Sequence, residues 1–146
     1  MKNKSWMIAA LCLGALPGIS QARDTVHYLP FDAVVAEAVQ AGRLDGSVKF
    51  YLNKRPAGKV TVVKPNVTTN QKTNAFNKSD EEACSWVLQS ALIRMQDAAK
   101  AAGANAVVNI VSNYKRNEYR DNTSYECHAG AVIAGVALKG DLATVK

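Results

Sequence analysis

Histidine is scarce in this chain: 146 residues contain two, His27 and His128. Any Ser/His or Cys/His catalytic arrangement has to use one of them. His128 adjoins Cys127, but neighbours on a strand point to opposite faces, which works against an active pair. No GxSxG, HExxH or EF-hand pattern occurs, and there is no GxxxxGKS or GxxxxGKT loop to cradle a nucleotide. No CxxC is present, so a thioredoxin-like redox motif is absent. His27, His128, Asp80, Glu81 and Glu82 have no metal-ligand spacing either, and the acidic triplet is explained by helix capping. No stretch approaches the ~18 to 20 apolar residues of a spanning helix. Past residue 22, basic residues adjoin one another only at Lys54-Arg55 and Lys115-Arg116, short of the clustered basic face that nucleic-acid binding requires. The expectation is a protein that is not an enzyme, with no cofactor, no metal, no nucleic-acid partner and no transmembrane anchor.

What is present begins with a leader. Lys2 and Lys4 give a positive start, Met7 to Leu16 an apolar run, and Ser20-Gln21-Ala22 a small-x-small cleavage site. Residues 1–22 are therefore expected to be a signal peptide and residues 23–146 a single α+β domain, periplasmic or secreted. Cys12 lies inside the leader, and the Leu11 before it is a poor match to a lipidation site. Of the 18 basic residues two fall in the leader, leaving sixteen against twelve acids, a mildly basic domain. Beyond the leader there are two cysteines, Cys84 and Cys127, an even number in an oxidising compartment. A disulfide between them is expected, closing a loop of more than forty residues.

Asp24 to Leu29 reads as a short strand that ends at Pro30. PFDAVVAEAVQAG then places Phe31, Val34, Val35, Ala38 and Val39 at helical spacing, with Gly42 as the stop. SVKFYLN alternates, Lys54 to Gly58 has turn chemistry, and KVTVVK is β-rich, so Ser47 to Lys64 predicts a β-hairpin. Pro65 to Lys78 is polar, rich in Asn and Thr, and reads as a long loop with Phe76 tucked under it as an anchor.

Ser79 opens the best-specified segment. Ser79 and Glu82 form a capping box, and Asp80, Glu81 and Glu82 suit the positive end of a helix dipole. Cys84, Val87, Leu88, Ala91, Leu92, Met95, Ala98, Ala99 and Ala102 make one apolar stripe, and Gly103 supplies a left-handed stop. ANAVVNIV follows as a β-branched strand, KRNEYRDNT as a charged turn, and YECHAGAVIAGVALKG as one long return strand, making a second hairpin. Gly130 and Gly135 mark a bulge or a close backbone approach. Tyr114, Tyr119 and Tyr125 are candidates for a partner surface or for cross-strand packing. The fold expected is a small mixed or antiparallel sheet of two β-hairpins packed against one long helix, plus a short N-terminal helix.

KVTVVK, RMQDAAKAAGANAVVNI and ECHAGAVIAGVALKG together resemble the C-terminal domain of the RcsF-type envelope-stress lipoproteins and, more loosely, the YbjQ-type small domains, in which a helix leads through a GANAVV or GADAVV strand. The resemblance spans Lys59 to Gly140. The chain is also similar to a set of short exported proteobacterial proteins with KTNAFNKSDEEAC and FECHAGA-like stretches, which often carry an excinuclease ATPase-subunit label; the missing nucleotide loop and the leader speak against that label here. In RcsF-like domains disulfides tie the helix region to the return strand, which agrees with a Cys84 to Cys127 bridge. The resemblance implies a non-enzymatic periplasmic interaction or envelope-stress sensor-like module with an envelope protein partner. The alternative is a periplasmic small-ligand or metal-binding protein; the YbjQ-type likeness implies metal binding, for which no ligand set is present, and ring assembly, which leaves a homo-oligomer open. Asn70, Lys72, Asn74, Phe76 and Asn77 of the polar loop, with Lys115, Arg116 and Tyr119 of the charged turn, are the candidate partner-binding residues.

Overall fold

The computed structural model describes residues 24–146, and the signal-peptide assignment to residues 1–22 lies outside the described residues. The elements run β1 (Thr25–Pro30), α1 (Phe31–Gln40), β2 (Lys49–Leu52), β3 (Val60–Asn74), α2 (Asp80–Ala101), β4 (Ala106–Tyr114), β5 (Asn117–Tyr119), β6 (Ser124–Ala129) and β7 (Ile133–Val145). All seven strands join one mixed sheet.

This architecture corrects the expected two-hairpin sheet. β7 is the strand on which the sheet is built: β3 runs antiparallel along one of its edges, while β6 and then β4 share the other. β6 carries β1 antiparallel, and β4 carries β2 parallel and β5 antiparallel. The predicted Ser47 to Lys64 hairpin does not form, because β2 and β3 take partners far along the chain instead of each other. The predicted return strand is divided into β6 and β7.

The polar stretch after Pro65 is no loop but most of β3, which continues to Asn74. Its residues alternate: Val67, Thr69, Gln71 and Thr73 are half-buried, whereas Thr68, Asn70, Lys72 and Asn74 are exposed. An edge strand satisfies one row of backbone groups with its neighbour and the other with water, so its side chains can stay polar on both faces. Pro65 and Lys64 fall where the pairing slips between Lys64 and Val67, a position tolerant of proline.

α2 forms for the reasons its sequence gives. The Ser79 hydroxyl accepts a hydrogen bond from the Glu82 N–H at 3.1 Å. At the other end Gly103 adopts φ +70°, the Gly103 N–H donates to the Lys100 carbonyl, and the Ala104 N–H donates to that of Ala99. That pair of bonds satisfies carbonyls a helix end otherwise leaves orphaned. Gly42 closes α1 in the same way, with bonds to Val39 and Ala38.

Both helices lie on one face of the sheet. Val87, Leu88, Leu92 and Met95 of α2 and Phe31 of α1 share a core with Val107, Ile110, Val136, Leu138 and Leu142 of the sheet. Each such side chain, fully buried, contributes about 1.5–3 kcal/mol of transfer free energy. Cys84 and Cys127, neither exposed, are joined inside this core with their Cα atoms 5.9 Å apart. On the opposite face, Ala106, Val108 and Ala143 form a small second cluster at the β2 end. No helix of the described residues is long and apolar enough to cross a membrane.

Candidate functional site

Concave features lie on both sides of the sheet: hollows of about 340 and 260 Å³ adjoin the helices, at Ala33, Glu37 and Ser85 and at Ala98 and Ala102, and three more lie on the face turned away from them. Strand register explains one of those three. Lys72 of β3 pairs with Gly135 of β7, Gly135 with His128 of β6, and His128 with Val26 of β1. One row of side chains thus crosses four strands and has a gap where glycine stands. A Cβ at Gly135 would lie 3.5 Å from the Tyr114 ring and 3.8 Å from the Lys72 stem, so those two side chains close over the gap. The result is a cleft of about 420 Å³ with Lys72 and His128 at its polar ends and Val132 and Ile133 along its apolar wall.

His128 is held from several sides. Its ring stacks on Tyr114, and Nε2 lies 2.5 Å from a Glu126 carboxylate oxygen. Nδ1 is buried and makes no hydrogen bond among the described residues, with Asp24 Oδ1 3.4 Å away. Cys127 is one residue back, faces the helices and is committed to the disulfide. This set holds an imidazole between two carboxylates, with the Lys72 ammonium also bordering the cleft. Among the described residues no group of three His, Cys, Asp or Glu side chains converges to hold a metal.

Two further hollows continue along β3. Toward its end, Phe76, Val132 and Ile133 border a shallow apolar hollow beside Lys72 and Asn74, and these three are 61%, 59% and 54% exposed. Phe76 is therefore no buried anchor: its N–H bonds to the Asn74 side chain, which holds the turn open to solvent. Toward the middle of β3, Thr68, Asn70, Asn113, Lys115 and Arg116 surround a pocket of about 340 Å³ beneath the β4–β5 hairpin.

The hairpin is pinned over the face. Glu118 pairs with both Lys139 of β7 and Arg120, and those cations, Lys139 first, hold its carboxyl below the ordinary carboxylate value. Tyr119 packs against Tyr28 of β1 with the rings tilted by 37° and centroids 4.5 Å apart, and desolvation there raises its hydroxyl pKa. Asp121 accepts from the backbone N–H groups of Thr123 and Ser124, which lowers its pKa and fixes the turn into β6.

Of the residues singled out from the sequence, Asn70, Lys72, Asn74, Phe76, Lys115 and Arg116 border these three concavities. Asn77 does not; it sits in the turn before α2 with φ 58°. Tyr119 is taken up by Tyr28, and Tyr125 is buried in the core. Tyr114, a candidate for a partner surface or for cross-strand packing, borders the cleft, whereas His128 and Ile133 were missed as partner-surface residues. The signal for His128 was its parity: with Cys127 assigned to the core, His128 had to face outward.

No family model matches the chain. A search of curated proteins likewise finds no match. Among solved structures the chain is similar to the crystal structure of a protein with unknown function of the DUF74 family from Pediococcus pentosaceus ATCC 25745, with 9% identity and a TM-score of 0.45, covering 68% of this chain and 96% of that one. At that level the likeness carries no weight for fold or function.

Proposed function

We propose that this protein is a non-enzymatic interaction module of the cell envelope, sensor-like in the sense its RcsF-type resemblance implies, which works in the periplasm after loss of its leader. The helix-free face of the sheet is its partner-binding surface. One observation carries this reading: the helices cover one face only, while the other presents Phe76, Val132 and Ile133 exposed together beside Lys72. Apolar side chains grouped at the surface and rimmed by polar ones mark interaction sites, whereas scattered ones do not. The disulfide supports an oxidising compartment, as does the leader pattern.

Photo-crosslinking tests the reading. A photoreactive residue at Phe76 or Ile133 is expected to capture an envelope protein, while the same residue at exposed Arg94 on α2 captures none. Equal labelling from both faces, or from Arg94 alone, contradicts it.

A second reading, a periplasmic small-ligand binder, is favoured by the buried, unbonded Nδ1 of His128 at the cleft. A thermal-shift panel of small polar ligands and divalent metals separates the two, since no stabilisation by any of them removes this reading.

A further inference from the structure

The turn between β4 and β5 uses the wrong residues for its shape. Tyr114 pairs with Asn117, so Lys115 and Arg116 form a two-residue hairpin loop, and both have positive φ, 51° and 64°. That geometry favours Asn-Gly, because a Cβ is strained in the left-handed region. Two cations occupy it instead. Among the described residues neither is ion-paired; the Lys115 ammonium stands 5.6 Å from the Tyr114 ring centroid.

Both side chains border the 340 Å³ pocket beneath the hairpin, together with Thr68, Asn70 and Asn113, and no carboxylate borders it. The nearby acids are engaged elsewhere: Glu118 with Lys139 and Arg120, Asp141 with the Asn66 N–H and the Asn109 amide. What remains is a hollow with two positive charges, two threonines, of which the Thr69 hydroxyl already accepts from the Gln71 amide, and two amides. Such a set matches a tetrahedral dianion: the guanidinium fork binds two oxygens at once, and the ammonium, hydroxyl and amide N–H groups can serve the others. Backbone strain that persists where an easier residue pair exists points to a role for the side chains it presents.

We propose that this pocket binds a phosphate-class oxyanion, either free phosphate or the phosphate of a lipid headgroup. The site deepens the reading of the helix-free face by naming what one end of it takes.

The test replaces the turn with the residues its backbone prefers, Lys115→Asn together with Arg116→Gly. This variant keeps the hairpin and removes both cations, so its melting temperature is expected to be unchanged or raised. Amide NMR of the full folded domain is titrated with inorganic phosphate, with chloride at matched ionic strength as control. In parallel, the protein is sedimented with phosphatidylglycerol vesicles and with phosphatidylcholine vesicles. Saturable shifts of amides 68–70 and 113–117 by phosphate, weakened about tenfold or more in the variant, support the site with free phosphate as ligand. Absence of those shifts, with sedimentation on the anionic vesicles that the variant loses, supports it with a headgroup as ligand. Neither response, equal shifts with chloride, or responses the variant leaves intact overturn it. Crosslinking from Phe76 and Ile133 in the same variant reports on the partner surface separately, so failure of one proposal is distinguishable from failure of the other.

Discussion

Tyr114 and His128 stack with ring centroids 3.5 Å apart and planes 12° from parallel, which ties the β4–β5 hairpin to β6 across the face of the sheet. The two residues are not strand partners; glycine at 135 leaves the space into which the tyrosine ring leans. This contact organises the cleft, and Tyr114 directly precedes the two cations of the turn.

Its strength is measurable by a double-mutant cycle with Tyr114→Leu and His128→Leu. A coupling of about 0.5–1.5 kcal/mol in urea unfolding is expected for an aromatic pair beyond its area burial. Hydrogen exchange in β5 should accelerate in either single variant while α2 stays protected, because the hairpin is held from outside the main core. A coupling near zero means that the ring stack is incidental to the fold.

Much of the helical layer was legible because its signals are local. Ser79, the stripe from Cys84 to Ala99 and Gly103 each state their role within a turn or two of chain. The cysteine pair was legible by elimination. The sheet was not, since strand pairing is set by partners far along the chain. The start of β3, KVTVVK, was read as β-rich, but past Pro65 the strand disguised itself by being an edge: its half-buried row there contains Thr69, Gln71 and Thr73, so no apolar alternation announced its continuation. Polarity still led to Asn70, Lys72, Lys115 and Arg116 as surface candidates, although the long polar loop expected for the first two is a regular strand. A charged turn and a close approach at Gly135 were both read from the sequence, but that Lys115 and Arg116 alone form a two-residue loop, and that Gly135 leaves a gap in a row of side chains, emerge only once register is known.

Gly140 makes a close approach that the sequence did not flag. A Cβ there would fall 2.9 Å from Val107 Cγ1 and 3.1 Å from Ile110 Cγ1, both fully buried. Beside it, β4 is irregular: its pairing with β7 slips between Val108 and Val111, and Asn109 has φ 54°. Gly140→Ala should therefore cost about 1–3 kcal/mol in denaturant unfolding, the usual penalty of overpacking a tight core. Gly135→Ala is the control, because its new methyl meets only ordinary contacts of 3.5 Å and more. Equal costs at both positions contradict the packing argument.

Acid should loosen the hairpin first. The Glu118 carboxyl is held below its ordinary value of 4.5 by Lys139 and Arg120, and that of Asp121 below 3.8 by the N–H groups and hydroxyl of its turn. A carboxyl with a lowered folded-state pKa binds protons more readily in the unfolded chain. Its stabilisation is thus complete above its ordinary value and is lost as pH falls through the folded-state value. Exchange protection in β5 and at the start of β6 is expected to fall below about pH 4 ahead of protection in α2, by reasoning from those shifts. Glu118→Gln should blunt this acid response and also reduce the effect of added salt, since the pairs it breaks are partly solvent-exposed. An acid response unaltered in Glu118→Gln and Asp121→Asn together would falsify the assignment to these groups.

The disulfide gives the largest single expected effect. Cys84 and Cys127 are 43 residues apart in sequence, and in the chain-entropy model closing a loop of that length raises stability by about 4 kcal/mol, chiefly by restricting the unfolded state. Both sulfurs lie in the core between α2 and β6, so Cys84→Ala with Cys127→Ala removes buried volume as well as the cross-link. Chemical reduction leaves both sulfur atoms in the protein. Comparing the two separates the contributions: reduced wild type should lose up to about 4 kcal/mol, and the double alanine variant somewhat more because of the packing it lacks. The intact mass of non-reduced protein after thiol labelling should show no label on the described domain. Labelling at both cysteines, or a reduced protein as stable as the oxidised one, would remove the staple from the account of how α2 is fixed to the sheet.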